Sequence, residues 1–299
     1  MSSAALNLIG CGNFPTAPSS SDPYYFNSQA DSFFNLFPQL AEEVNDFISS
    51  MNSFGSMISP DPDFVLTTDT TVNITPSMTR SQIQSAINAV PKNLNGHTVT
   101  FQFASGTYSF TDGKLLFFGF HGGTVIVQGD VSDNYTFASK AVMLSSSYNS
   151  DNTIRFSHCF ATVIVRSLSF THSGGAATNV YVYSCSDITF DCCSFVHTAY
   201  THPNLYISDS KTGRLTNNYF AKGSYGLYVG NSTCVLESGN ETYSITPPSY
   251  GIGLIYGAEV SMLQLGLYGG TADYVLSPGS IVFLSKGAIK IYSGEVIGA

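Results

Sequence analysis

A right-handed parallel β-helix, mainly β in content, is the fold class this sequence predicts, on three observations. Between Thr153 and Asn240 the period-2 pattern of short strands recurs every 25 residues: Val165, Phe190 and Leu215 form one series, Leu168, Cys193 and Asn218 another, and Phe170, Phe195 and Phe220 a third. Val182 and Ile207 add a second register. A unit of this length with apolar side chains two or three apart cannot bury its own inner face, so it must stack on its neighbour. Composition agrees, because only 10% of residues are charged and Ser, Thr, Gly and Asn are abundant, which suits strands and turns. Finally, Asn217-Asn218 falls where a strand turns a corner.

The elements follow in order. Residues 1 to about 22 are a Pro-, Ser- and Gly-rich lead with nothing to bury, expected to be extended and ordered only by a partner. After Asp22-Pro23, the residues Phe26, Ala30, Phe33, Phe37, Leu40, Val44, Phe47 and Met51 step with helical spacing, and Pro38 divides or kinks the helix. This aromatic stripe has no core of its own to meet. It reads as a trimer-forming or docking stripe, with packing on the base of the solenoid as the alternative, so residues 1–60 are expected to attach and trimerise the chain.

Residues 61–240 then form the solenoid. Thr79-Arg80-Ser81-Gln82 is a capping box for a short helix over 79–90, with Ile83, Ala86, Ile87 and Val90 on one face and Pro91 as its stop. Laid across the first coil, such a helix covers an aggregation-prone edge and an apolar end. His97–Phe103, Lys114–Phe120 and Thr124–Gly129 alternate as the first strands. Residues 241–299 hold ten of the 27 glycines, with short apolar strands at 251–256, 280–284 and 288–292, and are expected as irregular terminal coils or an intertwined trimeric tip.

Between Gln82 and Gly129, the Ile83-Gln84-Ser85-Ala86-Ile87 helix, the turn from Pro91 to Gly96, the Gly106-Thr107-Tyr108 corner and the Gly122–Gly129 strand resemble the start of pectin-lyase-like β-helix proteins found as bacteriophage tail fibres and tailspikes. The lead from Phe14 to Phe33 is similar to N-terminal attachment segments of phage structural proteins. The resemblance implies a homotrimer on a virion that docks through its N-terminus to a tail or baseplate protein and binds a host-surface glycan.

Chemistry-bearing residues are few. Alternation turns Asp187, Thr189 and Asp191 outward, and the repeat stacks them as Thr162/Asp187/Thr212, Ile164/Thr189/Arg214 and Arg166/Asp191/Thr216. With coils about 4.8 Å apart, Arg166 and Asp191 are expected to touch. The plain reading is a surface ion pair; the sharper one makes Asp187, Asp191 and Asp209 acid, base or nucleophile of a glycan-cleaving face. Glycoside hydrolysis wants carboxylates roughly 5 to 9 Å apart, one with a raised pKa. Asp187 and Asp191 lie about 13 Å apart along a strand, too far, and pairing either with Asp209 stays open. His172, His197 and Lys222 repeat two residues past the phenylalanine, where a solvated turn is expected and a metal site lacks a third ligand. The Val196–Tyr206 loop places His197, Tyr200, His202 and Tyr206 as candidate glycan contacts, against packing on its own coil or a sister chain.

No metal or cofactor site is expected. A net charge of −9 with 11 basic residues argues against a nucleic-acid partner, and no apolar run reaches membrane-spanning length. Leu8-Ile9-Gly10-Cys11 mimics a lipoprotein box, but it lacks a basic start and a long apolar region, so no signal peptide is expected. Cysteines are expected as small core residues, with the neighbours Cys192 and Cys193 on opposite faces of one strand. The function expected is a virion tail fibre or spike protein recognising host glycan, more in line with a non-enzyme. The alternatives are a polysaccharide depolymerase and a purely structural virion component.

Overall fold

The computed structural model describes residues 64–132, 140–174, 177–242, 245–262, 267, 269–277, 279–284 and 297–298. The lead and aromatic stripe expected over residues 1–60, and the strand expected over 288–292, lie outside them.

Parallel strands stack into three sheets of ten, seven and six strands. The chain runs from the ten-stranded sheet to the six-stranded, then the seven-stranded, and back, once per coil of a right-handed parallel β-helix. The 25-residue spacing becomes strand register: Val165 pairs with Phe190 and Phe190 with Leu215, and Phe170 with Phe195 and Phe195 with Phe220. The latter rings stack inside the coil at centroid separations of 5.4 and 4.9 Å. Residues beyond 240 continue the pattern, since Tyr250–Ile255 and Ala272–Leu276 extend the seven-stranded sheet and Glu259–Met262 and Ile281–Leu284 the ten-stranded one.

Sharp corners need left-handed backbone. Ser167, Cys192 and Asn217, each following a strand of the ten-stranded sheet, have φ between 52° and 55°. His158, Ser184, Asp209, Asn231 and Tyr256 do the same after the seven-stranded sheet, with φ between 45° and 57°. A non-glycine residue there is disfavoured by about 1 kcal/mol or more, so the stacked coils must over-determine each corner. The expectation that Cys192 and Cys193 point to opposite faces of one strand is corrected accordingly. Cys192 is the left-handed corner residue and Cys193 turns inward, so both are buried.

Inside the corners, polar ladders satisfy backbone groups that turning leaves unpaired. Asn218 Oδ1 accepts from the Cys193 amide at 2.9 Å, and Asn240 Oδ1 from the Asn218 amide at 3.1 Å. Ser210 and Ser232 repeat the device at the other tight corner, accepting from the amides of Cys185 and Ser210. At the third corner Asn179 and Asn204 donate to backbone carbonyls. All five described cysteines are free and buried.

Helix α1, Arg80–Ala89, has both halves of its capping box and buries Ile83 and Ile87. Leu115–Phe118 is the first strand of the seven-stranded sheet, an open edge. The Gln84 side chain closes it, accepting from the Leu116 amide at 2.8 Å and donating to the Leu116 carbonyl at 2.9 Å. One side-chain amide thus occupies the place of a missing backbone neighbour. Arg80 ties the helix to Asp112 through two hydrogen bonds, 3.1 and 3.2 Å.

Removing the middle ring of the phenylalanine column tests the stacking directly. Phe195→Ala is expected to lower unfolding stability by about 3 to 5 kcal/mol, whereas the outward Thr189→Ala on a neighbouring sheet changes it by less than about 1 kcal/mol; urea unfolding followed by circular dichroism reads both.

Candidate functional site

A strip of tyrosines lies on the outer face of the seven-stranded sheet. Register places Arg155, Tyr181, Tyr206 and Tyr228 in one outward column, each half-buried. Tyr181 and Tyr206 stack at 5.0 Å with rings 23° from parallel, and Tyr206 meets Tyr228 at 5.0 Å. The strip widens through Tyr183, 6.1 Å from Tyr181, and through Tyr225, which contacts Tyr228 at 4.7 Å and Tyr250 at 5.1 Å. It ends over Gly253, where a Cβ would lie 2.4 Å from the Tyr228 ring, so only glycine leaves that ring room to lie against the sheet.

Burial and neighbouring phenols push the Tyr181, Tyr225 and Tyr228 hydroxyls up, Tyr228 to about 12. These groups stay protonated at neutral pH and serve as hydrogen-bond donors; proton abstraction would need a shift the other way. A row of aromatic faces edged by hydroxyls is suited to sugar rings, whose apolar faces stack while their hydroxyls hydrogen-bond.

Of the candidates drawn from the Val196–Tyr206 loop, Tyr206 belongs to this ladder. Tyr200 is 49% exposed on the third corner, apart from any described ring contact. His197 is corrected: its side chain is fully buried, as is that of His172. The strand Ser194–His197 turns Phe195 and His197 to the same inner side, so the expected solvated turn begins one residue later. His172, His197 and His202 form a column with centroid separations of 5.2 and 6.5 Å. Lys222 is half-buried a coil beyond His197. The His197 Nδ1 accepts from the Ala199 amide at 3.1 Å, so its proton sits on Nε2, facing the Ala177 carbonyl at 3.1 Å. Among the described residues no group of three His, Cys, Asp or Glu side chains is arranged to hold a metal ion.

Asp187 and Asp191 stand at opposite ends of one strand of the ten-stranded sheet, and Asp209 at a corner beyond the seven-stranded sheet. Hydrogen bonds from Asn231 and Ser208 hold the Asp209 carboxyl below its usual range, the opposite of what a general acid requires. Asp191 lies in register with Arg166, but the expected contact is replaced: Arg166 Nε donates to Gln128 Oε1 at 2.7 Å, and Asp191 faces Asn217 at 3.5 Å.

No family model and no curated protein matches the chain. Among solved structures it is similar to the alginate lyase from Paenibacillus sp. str. FPU-7, at 13% identity and a TM-score of 0.36 over 76% of this chain and 99% of that one. A likeness of that order carries neither an activity nor a site residue across.

Tyr181, Tyr228 and Arg155 escape a reading of spacing alone. Tyr181 and Tyr206 are 25 residues apart beside Val182 and Ile207, and Tyr225 and Tyr250 are also 25 apart, which could have revealed the ladder. Tyr228 breaks the count because it follows Tyr206 by 22.

The histidine column sets an acid limit on the coil. Burial, with His197 and His202 beside it, lowers the His172 pKa to about 4; Asp151 opposes this weakly. The unfolded chain binds that proton near its ordinary value of 6.5, so the contribution is complete above pH 6.5 and lost as pH falls toward 4. The loss is on the order of 3 kcal/mol. Unfolding midpoints measured at pH 7 and pH 4 are expected to drop less in His172→Phe than in the natural chain, the other titrating groups being common to both.

Proposed function

We propose that this chain is the receptor-binding arm of a bacteriophage tail fibre or tailspike, holding a host-surface glycan against the tyrosine ladder of its seven-stranded sheet. The ladder is the observation that supports this reading. Protonated phenols, and an Asp209 carboxyl held below its usual range, favour binding over cleavage. Attachment to the particle through residues 1–60, and assembly as a homotrimer, rest on the resemblance of residues 14–33 and 82–129 to phage structural proteins. The Ile126 and Ile164 pair on the outer face of the ten-stranded sheet is available to a sister chain.

Titration calorimetry of the full chain with purified host-envelope oligosaccharides tests the binding role. Tyr206→Ala is expected to weaken binding about tenfold, equivalent to roughly 1.4 kcal/mol, with an unchanged circular dichroism spectrum. New reducing ends or unsaturated uronates on prolonged incubation would transfer the assignment to a depolymerase. Sedimentation at micromolar concentration is expected to give three times the 32.0 kDa chain mass; a monomer there removes the trimer from the proposal.

A further inference from the structure

Arg155 heads the tyrosine column, one coil before Tyr181. Its guanidinium carbon lies 4.9 Å from the Tyr181 ring centroid and 5.7 Å from that of Tyr183. The other three arginines of the chain all have acceptors: Arg80 on Asp112, Arg166 on Gln128 and Arg214 on Glu237. Arg155 has neither a hydrogen-bond acceptor nor a carboxylate at ion-pair distance among the described residues, and its Nε is buried without a partner. A guanidinium carries five donors in a planar fork that matches an anionic group of two or three oxygens. A buried Nε–H without a partner is unfavourable, and the outer nitrogens of the fork are left open to an arriving group.

We propose that Arg155 is an anion subsite at the end of the ladder, taking the acidic substituent of one sugar in the bound glycan while Tyr181 and Tyr206 stack on its neighbours. The inference rests on the glycan-binding reading above and adds the chemical class, a glycan bearing carboxylate, sulfate or phosphate groups. Tyr181 and Tyr183 fix the fork by cation–π contact, so it meets the ligand with little ordering left to do. The chain's net charge of −9 gives no long-range attraction to a polyanion, so recognition must be local.

The test is equilibrium binding of the full chain to matched oligosaccharides: a uronate form, its carboxyl-reduced neutral counterpart, and sulfated and phosphorylated derivatives of the neutral form. The natural chain is expected to bind at least one anionic member about tenfold or more tightly than the neutral one. Arg155→Gln is expected to erase that preference while holding neutral-sugar affinity within about twofold, and Arg155→Lys to restore part of it. Tyr206→Ala weakens all members alike. The anionic arm that responds identifies the substituent. Equal affinity for neutral and anionic forms, or Arg155→Gln weakening both equally, overturns the subsite and leaves the ladder standing. Binding of no member removes both. Thermal unfolding of Arg155→Gln within a few degrees of the natural chain shows that the loss is not one of folding.

Discussion

Hydrogen bonding between successive parallel strands governs this molecule, because it forces each side chain to lie over its counterpart at about 4.8 Å. Like then stacks on like: phenylalanine on phenylalanine inside, tyrosine on tyrosine outside, asparagine on asparagine at the corners. Each column serves a different need with one geometry. Inner rings remove apolar surface from water, amide ladders absorb the backbone groups that turning exposes, and outer rings present repeating flat faces. The left-handed corners, unfavourable one at a time, persist because the strands on either side are held in register by both neighbours.

That constraint also explains what could be read from the residues. Wherever a coil keeps its length, spacing locates the inner face without ambiguity, as with Val165, Phe190 and Leu215. The capping helix was equally legible, since its box and its Pro91 stop are local signals. Reading failed at strand ends. Alternation alone does not say where the six-stranded sheet stops, so it puts His172 and His197 in a turn although they are the last inward residues. Cys192 was misread for the related reason that a corner and a strand position look alike in sequence.

The surface was harder still. An outward residue's identity is not forced by burial, so charge alone singles out Asp187, Asp191 and Asp209 in the sequence, while Tyr181 and Tyr228 read as strand-forming aromatics. Contacts across coils further depend on which neighbour a long side chain prefers. Arg166 chose the amide of Gln128 over the carboxylate in register with it. Arg155 is recognisable only once its surroundings are seen, because what marks it is the lack of an acceptor among the described residues.

The third corner, between the six- and seven-stranded sheets, varies in length from coil to coil. Moving from one coil to the next, it shortens by three residues between the His197 and Lys222 coils, yet Leu205 and Leu227 still pair. Length there is decoupled from register, as in the hypervariable segments that rigid scaffolds use for recognition. These segments beside the tyrosine strip can therefore change in length and sequence without shifting the register of the strands they join.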